Sequence, residues 1–414
     1  MNVEILSIGS EIVLGSVINT NASFISKELT RAGYSVTCVT SLPDDPEAIT
    51  KTLDQIFERS DLLIVTGGLG PTTDDRTRKV FAEFFQTTFV ASSEVAEEIG
   101  KRFGKDLSSL SDQSLVPKGA KVFVNPIGTA PSVALSKGKK TAFLLPGVPK
   151  EMKVLFSEQI LPYLIKAFPP KNHRFIKEYH LCLLVEIDID PFLRKLEIQA
   201  PELEIGIYPA FGTVSVRLGA KDEKILKDAS RLFFKEFETY IYSTESPKIE
   251  EALQKWMIGN KKTLAAAESF TGGTLASYIT KVPDSSKYFL GSLVTYDNGL
   301  KEAVLKVEKK TLEAFGAVSS ETAQEMLFGL LNATGADIGI ALTGIAGPGG
   351  GTDAKPVGTA WVAIGKKDEP PYVDKWVLLG DREKIIDGAV NRSLGILFRF
   401  LAYGIDPMIR KRVI

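Results

Sequence analysis

Short hydrophobic runs alternate with amphipathic helical stretches throughout residues 1–170. The runs predict strands of a sheet buried on both faces, because they lack the polar alternation of a half-exposed sheet. Proline opens one helical stretch and glycine closes another, as expected at helix ends. The alternation predicts a three-layer α/β domain in which helices cover both faces of a parallel sheet. Strands are predicted at 3–8, 36–39, 62–66, 120–124, 132–135 and 141–145, and helices at 21–32, 46–59 and 150–167.

A proline-containing linker, Phe168–Asn172, leads into a smaller region at residues 171–245. Its pattern is strand, helix, strand, strand, helix, strand, which predicts a small α+β domain. Ile205–Tyr208 and Val214–Leu218 would pair as a hairpin through Pro209–Gly212. A KH-type nucleic-acid-binding domain would need a Gly-x-x-Gly loop, which this region lacks. We therefore expect it to act as a spacer or in dimerisation.

The remaining residues, 246–414, again mix helical and strand patterns and predict a second α/β domain. Three helical segments are expected between residues 298 and 333, and a long closing helix at 382–402. Strands are predicted at 263–267, 290–296, 338–343, 358–364 and 373–379.

Composition limits the partners and the chemistry of the chain. Fifty basic and 51 acidic residues leave a net charge of -1, so neither nucleic acid nor a membrane surface is expected as a partner. No apolar run approaches the roughly 18 residues of a membrane span, and we expect a cytoplasmic protein in which Cys38 and Cys182 are reduced core thiols. The two histidines, His173 and His180, both lie in the middle region. Active sites elsewhere must therefore transfer protons without imidazole.

Three segments of the last region each follow a predicted strand: Ala267–Gly273, Thr295–Lys301 and the glycine-rich Thr343–Pro348. Taken singly, a glycine pair after a strand is usually a tight turn, and a tyrosine or lysine is usually a surface residue. Ligands of open α/β sheets bind at the carboxyl ends of the strands. The coincidence of three such segments therefore predicts a binding site at one edge of this domain.

These segments together resemble the C-terminal domain of the CinA family, the nicotinamide mononucleotide amidohydrolase domain, over about residues 246–405. The resemblance implies hydrolysis of nicotinamide mononucleotide to nicotinate mononucleotide and ammonia, with Ser269, Tyr296 and Lys301 as catalytic residues and no cofactor. A lysine with a lowered pKa could activate the serine, and Tyr296 could relay the proton. Amides near Thr271–Gly273 could hold the oxyanion or the phosphate. The substrate-binding residues implied are Glu268, Thr271, Gly272, Gly273, Asn298, Thr343, Gly344, Ala346, Gly347 and Arg382.

Two positions depart from the family pattern in this domain. Phe270 stands where many relatives carry cysteine, and its ring could narrow the pocket. Ile386 stands where an arginine is common, which leaves Arg382 and Arg392 as candidate phosphate ligands.

A second glycine-rich string, Thr66–Thr77, follows a buried strand of the first region. Its glycines, hydroxyls and paired carboxylates suit a phosphorylated ligand with a divalent cation, although the acid pair could equally cap a helix. The region resembles the molybdopterin-binding-like domain of the same family, which implies metal-dependent hydrolysis of ADP-ribose to AMP and ribose 5-phosphate. The implied nucleotide-binding residues are Gly67, Gly68, Gly70, Thr72, Gly128, Thr129, Pro146, Gly147 and Glu151. The candidate metal ligands are Asp74, Asp75, Glu11 and Asp44.

The sequence thus predicts a bifunctional pyridine-nucleotide salvage hydrolase that binds small nucleotides and forms a homodimer. Two alternatives stay open: a deamidase whose N-terminal half only binds a nucleotide or pterin, and a non-enzymatic accessory protein of competence or DNA damage.

Overall fold

The computed structural model describes residues 2–70, 76–103, 110–170, 174–367 and 369–404, with only the backbone at 110 and 111. Contacts divide the chain into two compact units, Met1–Arg174 and Phe175–Ile414. The second unit contains two separate sheets. None of the helices in the described ranges combines the length and hydropathy that crossing a membrane requires.

The first unit is built on a six-stranded sheet in the order β2-β1-β3-β8-β7-β6. Its apolar cores lie on both faces, as predicted for a three-layer domain. The strands are β1 (Asn2–Ile8), β2 (Ser35–Leu42), β3 (Leu62–Thr66), β4 (Phe89–Ala91), β5 (Leu115–Pro117), β6 (Lys121–Phe123), β7 (Ser132–Lys137) and β8 (Lys140–Leu145), of which β4 and β5 pair separately. The helices are α1 (Ser10–Val13), α2 (Thr20–Arg31), α3 (Pro46–Arg59), α4 (Thr77–Phe84), α5 (Ser93–Phe103), α6 (Leu110–Gln113), α7 (Pro149–Leu155) and α8 (Leu161–Ala167).

The prediction of a wholly parallel first sheet is wrong at one side. β2, β1, β3 and β8 are parallel, whereas β7 is antiparallel to both of its neighbours, β8 and β6. The cause is a tight hairpin between β7 and β8, with Gly138 at φ +62° in its turn. The predicted closing helix is also interrupted by a π-helical turn, Phe156–Ile160, immediately before the helix that contains Pro162.

The first sheet of the second unit has the predicted α+β pattern. Its order is β10-β11-β9-β12, and the predicted hairpin pairs Ile205 with Leu218. The elements are β9 (Phe175–Cys182), α9 (Glu186–Gln199), β10 (Glu204–Ala210), β11 (Thr213–Ala220), α10 (Glu223–Phe237) and β12 (Ile241–Ser243).

The second sheet of this unit carries the candidate catalytic segments, in the order β14-β13-β15-β16-β17. Alternate residues of β13 enter different cores: Leu264 and Ala266 face one side, Ala265 and Ala267 the other. The strands are β13 (Leu264–Glu268), β14 (Phe289–Val294), β15 (Ile338–Gly344), β16 (Thr359–Lys366) and β17 (Tyr372–Val377). The helices are α11 (Ile249–Gly259), α12 (Thr274–Thr280), α13 (Asn298–Leu305), α14 (Lys309–Phe315), α15 (Ser320–Thr334) and α16 (Arg382–Tyr403).

Candidate active site

The three segments predicted to converge lie at one edge of the second-unit sheet. β13 is paired in parallel with β14 on one side and with β15 on the other. Their carboxyl ends therefore meet, which brings together the residues that follow Glu268, Val294 and Gly344. The predicted juxtaposition of the three segments is confirmed by this pairing.

Ser269 lies directly beyond β13 and remains attached to the sheet, because its amide donates to Leu342 O at 3.1 Å. The chain then turns through Gly272 and Gly273, whose φ angles of +59° and +97° favour glycine. This turn leads into α12. Ser269 is 7% exposed, so it is largely buried but still accessible to a ligand.

The Glu268 carboxylate stabilises the turn through hydrogen bonds and does not face a ligand. Its fully buried carboxylate accepts hydrogen bonds from the amides of Gly273, Leu275 and Ala276, each at 3.0 Å, and from Ser292 Oγ at 2.9 Å. These bonds satisfy the amino end of α12.

The amides of the turn are therefore only partly available. The expectation that Gly272 and Gly273 offer free N–H groups is wrong, because Gly272 N donates to Ser269 O at 3.0 Å and Gly273 N to Glu268. Within the described ranges, the amides of Phe270 and Thr271 donate to no protein acceptor. The Thr271 hydroxyl is likewise buried and without a partner there.

Lys301 occupies the first turns of α13, and its side chain returns toward the sheet edge. Helical side chains lean toward the amino end of their helix, which explains this direction. Lys301 Nζ lies 3.1 Å from Ser269 Oγ, 2.8 Å from Thr295 O and 3.0 Å from Tyr296 O. The side chain is 1% exposed. Burial lowers the pKa of Lys301 from its ordinary value of 10.5, an effect that the charge of Asp297 partly opposes.

Tyr296 and Arg382 form an exposed rim beside the buried pair. Arg382 Nη2 lies 3.2 Å from the Tyr296 hydroxyl, and Arg382 Nη1 donates to Gly347 O at 2.9 Å. The Tyr296 side chain is 58% exposed. Its carbonyl contacts Lys301, while its phenol contacts Arg382. This arrangement gives no support to the predicted proton relay through the phenol.

The other predicted binding residues differ in accessibility. Asn298 is exposed at the start of α13, and Gly344 is half-buried. The Thr343 hydroxyl donates to Ala317 O at 2.7 Å, and Ala346 belongs to the apolar core, so both positions are structural.

The two departures from the family pattern lie in the core and not in the pocket. Phe270 is 4% exposed and packs in the apolar core, with its ring beneath Gly344. It therefore does not narrow the pocket as expected. Ile386 packs against the same core, and Arg392 stacks on Trp376 at 5.1 Å.

Glycines of the first unit bring three loops together at the carboxyl ends of β1, β3 and β8. Gly67 has φ +108°, and a Cβ there would lie 1.9 Å from Ile8 O. A Cβ at Gly68 would lie 2.0 Å from Thr77 Oγ1, and one at Gly147 would touch Gly67. Gly70 follows in the same loop. Close backbone approach of this kind suits a phosphorylated ligand.

Two asparagines, which the sequence analysis missed, hold these loops. Asn21 Nδ2 donates to Gly147 O at 2.8 Å and to Thr66 Oγ1 at 3.1 Å, and Thr66 Oγ1 donates to Pro146 O. Asn125 Oδ1 accepts from Gly128 N at 2.8 Å, and Asn125 Nδ2 donates to Glu151 at 2.7 Å. Thr129 lies half-buried in the same loop. The available signal for Asn21 was its position four residues before Ile25 and eight before Leu29, which places it on the buried face of α2.

The candidate metal ligands do not assemble into a centre within the described part of the chain. Asp44 accepts hydrogen bonds from Ser10 N at 2.9 Å and Ser10 Oγ at 3.0 Å, while Glu11 is exposed. No group of three or more His, Cys, Asp or Glu that could hold a metal occurs among the described residues. Thr72, Asp74 and Asp75 lie outside them.

Two known families match the chain in succession. Residues 4–166 match the probable molybdopterin binding domain, and residues 246–401 match the CinA C-terminal domain. A CinA-like protein of Desulfotalea psychrophila is 35% identical over 413 residues, which cover 97% of this chain and 99% of that protein. A CinA-like protein of Dictyoglomus thermophilum is 36% identical over 395 residues, or 93% and 95% of the two chains.

Solved structures of similar proteins cover a smaller share of the chain. The crystal structure of CinA from Thermoplasma acidophilum is 33% identical and covers 40% of this chain and 96% of its own, with a TM-score of 0.37. That of competence damage-inducible protein A from Klebsiella pneumoniae is 35% identical and covers 37% and 96%, with a TM-score of 0.37.

Proposed function

Because this chain belongs to the CinA family, we propose that its C-terminal domain hydrolyses the carboxamide of nicotinamide mononucleotide, releasing nicotinate mononucleotide and ammonia. The observation that carries the proposal is the buried contact between Lys301 Nζ and Ser269 Oγ at 3.1 Å. A serine hydroxyl needs a base to become a nucleophile, and the sequence of this domain contains no histidine.

The surroundings of Lys301 suit a neutral amine. Such an amine has two N–H donors and one lone pair. The carbonyls of Thr295 and Tyr296 can accept both donors, at 2.8 and 3.0 Å, which leaves the lone pair for the Ser269 hydroxyl. Burial lowers the pKa of Lys301 and so favours this neutral form.

In the proposed reaction, Lys301 accepts the Ser269 proton while Oγ bonds to the carboxamide carbon. The C–N bond then breaks, and the Lys301 ammonium returns the proton to the nitrogen, which leaves as ammonia. Lys301 next deprotonates water, which attacks the ester carbon. The bond to Ser269 Oγ then breaks, Lys301 returns the proton to Ser269, and nicotinate mononucleotide is released. The amides of Phe270 and Thr271 are the proposed donors to the oxyanion, because they are the amides of the turn without a protein acceptor in the described ranges.

Arg382 and Tyr296 are proposed to bind the nucleotide outside this buried pair. An exposed guanidinium can bind a phosphate through two parallel hydrogen bonds. Its present bonds to Gly347 O and the Tyr296 hydroxyl hold it beside the pocket. Tyr296 thereby becomes a positioning residue in place of a proton relay.

Ammonia release from nicotinamide mononucleotide tests the proposal directly. Ser269→Ala and Lys301→Met should each lower kcat by about 10²–10⁴-fold, the range for loss of an acid–base or nucleophilic group. Ser277→Ala on the exposed face of α12 and Lys309→Met on α14 are matched controls and should keep the parent rate. A parent rate in both active-site variants would refute the nucleophile and base. An inactive parent protein would favour the accessory function.

For the N-terminal domain we propose hydrolysis of ADP-ribose to AMP and ribose 5-phosphate, dependent on a divalent cation. The supporting observation is the close approach of the Gly67 and Gly147 loops at the sheet edge. The described carboxylates do not themselves form a cation site, so no step is assigned to the ion. AMP release with magnesium or with EDTA tests the proposal. Absence of AMP release under both conditions would favour a domain that only binds a nucleotide or pterin.

A further inference from the structure

A cavity in the second unit lies between helix α11, the carboxyl end of helix α16 and the segment that runs from β12 to Ser246. We call this cavity the α11–α16 cleft. Its volume is about 430 Å³, which is within the usual range of small-molecule sites. None of the described residues that line the cleft has a role in the candidate active site. The cleft is therefore a separate feature of the unit.

Aromatic side chains form much of the wall of the α11–α16 cleft. Trp256 of α11 and Phe398 and Tyr403 of α16 line it, and all three are half-buried, so part of each side chain remains accessible. Tyr242 of β12 also lines the cleft. The hydroxyls of Tyr242 and Tyr403 each already donate to a backbone carbonyl, at 2.6 and 3.0 Å. The tyrosines therefore contribute their rings to the cleft and not a free O–H donor.

Charged side chains give the cleft a negative balance. Two carboxylates, Glu245 and Glu251, line it, whereas Lys255 is the basic residue among the described lining residues. Glu251 is paired with Lys248 at 3.1 Å. Glu245 is exposed and makes no ion pair within the described ranges. Its charge is therefore available to a ligand.

The backbone of α16 adds to this negative balance. The helix extends from Arg382 to Tyr403, so Tyr403 brings its last turn to the cleft. The last four carbonyls of a helix have no partner within it and carry partial negative charge. In the described part of the chain, Gly404 N donates to one of them, Phe400 O, at 3.1 Å. A helix carboxyl end favours a cation and disfavours an anion.

We propose that the α11–α16 cleft binds a small organic cation of the quaternary ammonium class. Aromatic rings attract such cations through their negative faces, and the alkyl groups of the cation also bury apolar surface against the rings. The carboxylates and the helix end add attraction for the positive charge. An anion, including the phosphate of a nucleotide, would be repelled by the same groups. A neutral apolar ligand would contact the rings but gain nothing from the negative charge.

The test titrates the full chain with choline and measures saturation-transfer difference NMR of the ligand methyl protons. We expect saturable binding with a Kd of about 1–10 mM, as a few weak ring contacts would give. The neutral isostere 3,3-dimethylbutan-1-ol has the same shape without the charge and should bind at least about tenfold more weakly. Equal binding of the two compounds, or no saturation by choline at about 100 mM, would overturn the proposal.

Tryptophan substitutions place the binding in the cleft. Trp256→Leu should weaken choline binding by about tenfold, because it removes a ring and keeps an apolar side chain. Trp361→Leu is the matched control, since Trp361 is also half-buried in residues 246–414 but does not line the cleft. It should bind choline within about twofold of the parent. An equal loss in the two variants, both with the circular dichroism spectrum of the parent, would refute binding at Trp256.

A charge substitution tests the second half of the argument without altering the apolar packing. Glu245→Gln should weaken choline binding by about threefold or more and leave binding of the neutral isostere unchanged, because only the cation is attracted by the carboxylate. Glu202→Gln, an exposed position that does not line the cleft, is the control for net charge. Equal effects of the two substitutions on choline would overturn the proposal. A trimethyllysine peptide that bound about tenfold more tightly than choline would assign the cleft to a protein side chain and overturn the free cation as ligand.

Discussion

Glu268→Gln is the substitution that best tests how the turn after Ser269 is stabilised. The carboxylate accepts three backbone N–H groups and one hydroxyl in a fully buried site. The new amide would have a single acceptor oxygen. If its NH2 group replaced Oε2, the amides of Gly273 and Leu275 would lose their acceptor. If it replaced Oε1, the Ala276 amide would lose its acceptor, although Ser292 could reverse its role and accept.

The expected cost can be worked from these bonds. At least one buried donor is left without a partner, which costs about 1–3 kcal/mol. The remaining bonds also lose their charge-assisted character and the favourable interaction with the amino end of α12, a further kcal/mol or so. We therefore expect Glu268→Gln to lower the free energy of unfolding of this domain by about 2–4 kcal/mol. Ser292→Ala removes a single partner and should cost about 1 kcal/mol.

Tryptophan fluorescence during urea denaturation is the appropriate assay. All three tryptophans, Trp256, Trp361 and Trp376, lie in residues 246–414, so the signal reports this domain even in the full chain. The kcat of the Glu268 variant should fall as well, because Ser269 is the next residue. An unchanged urea midpoint together with a raised KM would refute the structural role and assign Glu268 to substrate binding.

Three other predictions concern the pKa of Lys301, phosphate binding by Arg382 and the packing of Gly395. The kcat/KM for nicotinamide mononucleotide should rise with pH through an inflection below 10.5, because burial lowers the pKa of Lys301 and only its neutral amine accepts a proton; a first inflection at or above 10.5 would contradict this. Arg382→Ala should raise KM for nicotinamide mononucleotide but not for nicotinamide riboside, which lacks the phosphate, and equal effects on both would exclude phosphate binding. Gly395→Ala should destabilise the second unit by about 1–3 kcal/mol, because the added Cβ would lie 2.9 Å from Cys182 Cβ. Gly259→Ala, whose Cβ meets no atom within 4 Å, is its control in the same urea assay.

Much of the fold was predictable because local signals agreed with the packing. The helix Pro46–Arg59 and the strand Leu62–Thr66 match their predicted bounds, since proline marks the helix start and an unbroken apolar run marks the strand. Strands β7 and β8 were predicted, but as members of a parallel sheet, whereas they pair antiparallel. The signal was present in the tight glycine turn at Gly138, and a hairpin there required antiparallel pairing.

The sequence predicted the side chains of the candidate site but not the backbone groups that contact them. The strand ends indicated where Ser269 and Lys301 would meet. The acceptors of Lys301 are backbone carbonyls, however, and every residue has a carbonyl, so no residue type could identify Thr295. Glu268 shows the opposite problem. From the sequence alone, a carboxylate next to a nucleophile that contacts substrate cannot be distinguished from one that caps a helix. Only the burial of Glu268 distinguishes the two roles.

The carbonyl contacts explain how Lys301 can act as the proposed base in a domain whose sequence contains no histidine. A carboxylate beside the amine would orient it but would also stabilise the ammonium and raise its pKa. The carbonyls of Thr295 and Tyr296 orient the amine through dipoles that carry no net charge. The carboxylate of the nearby Asp297 caps α13 by accepting from Gly299 N at 2.7 Å, and its charge only partly opposes the effect of burial on the pKa of Lys301. An added carboxylate at this strand end should therefore hold Lys301 protonated and move the pH–rate profile to higher pH, without disturbing the distance between amine and hydroxyl.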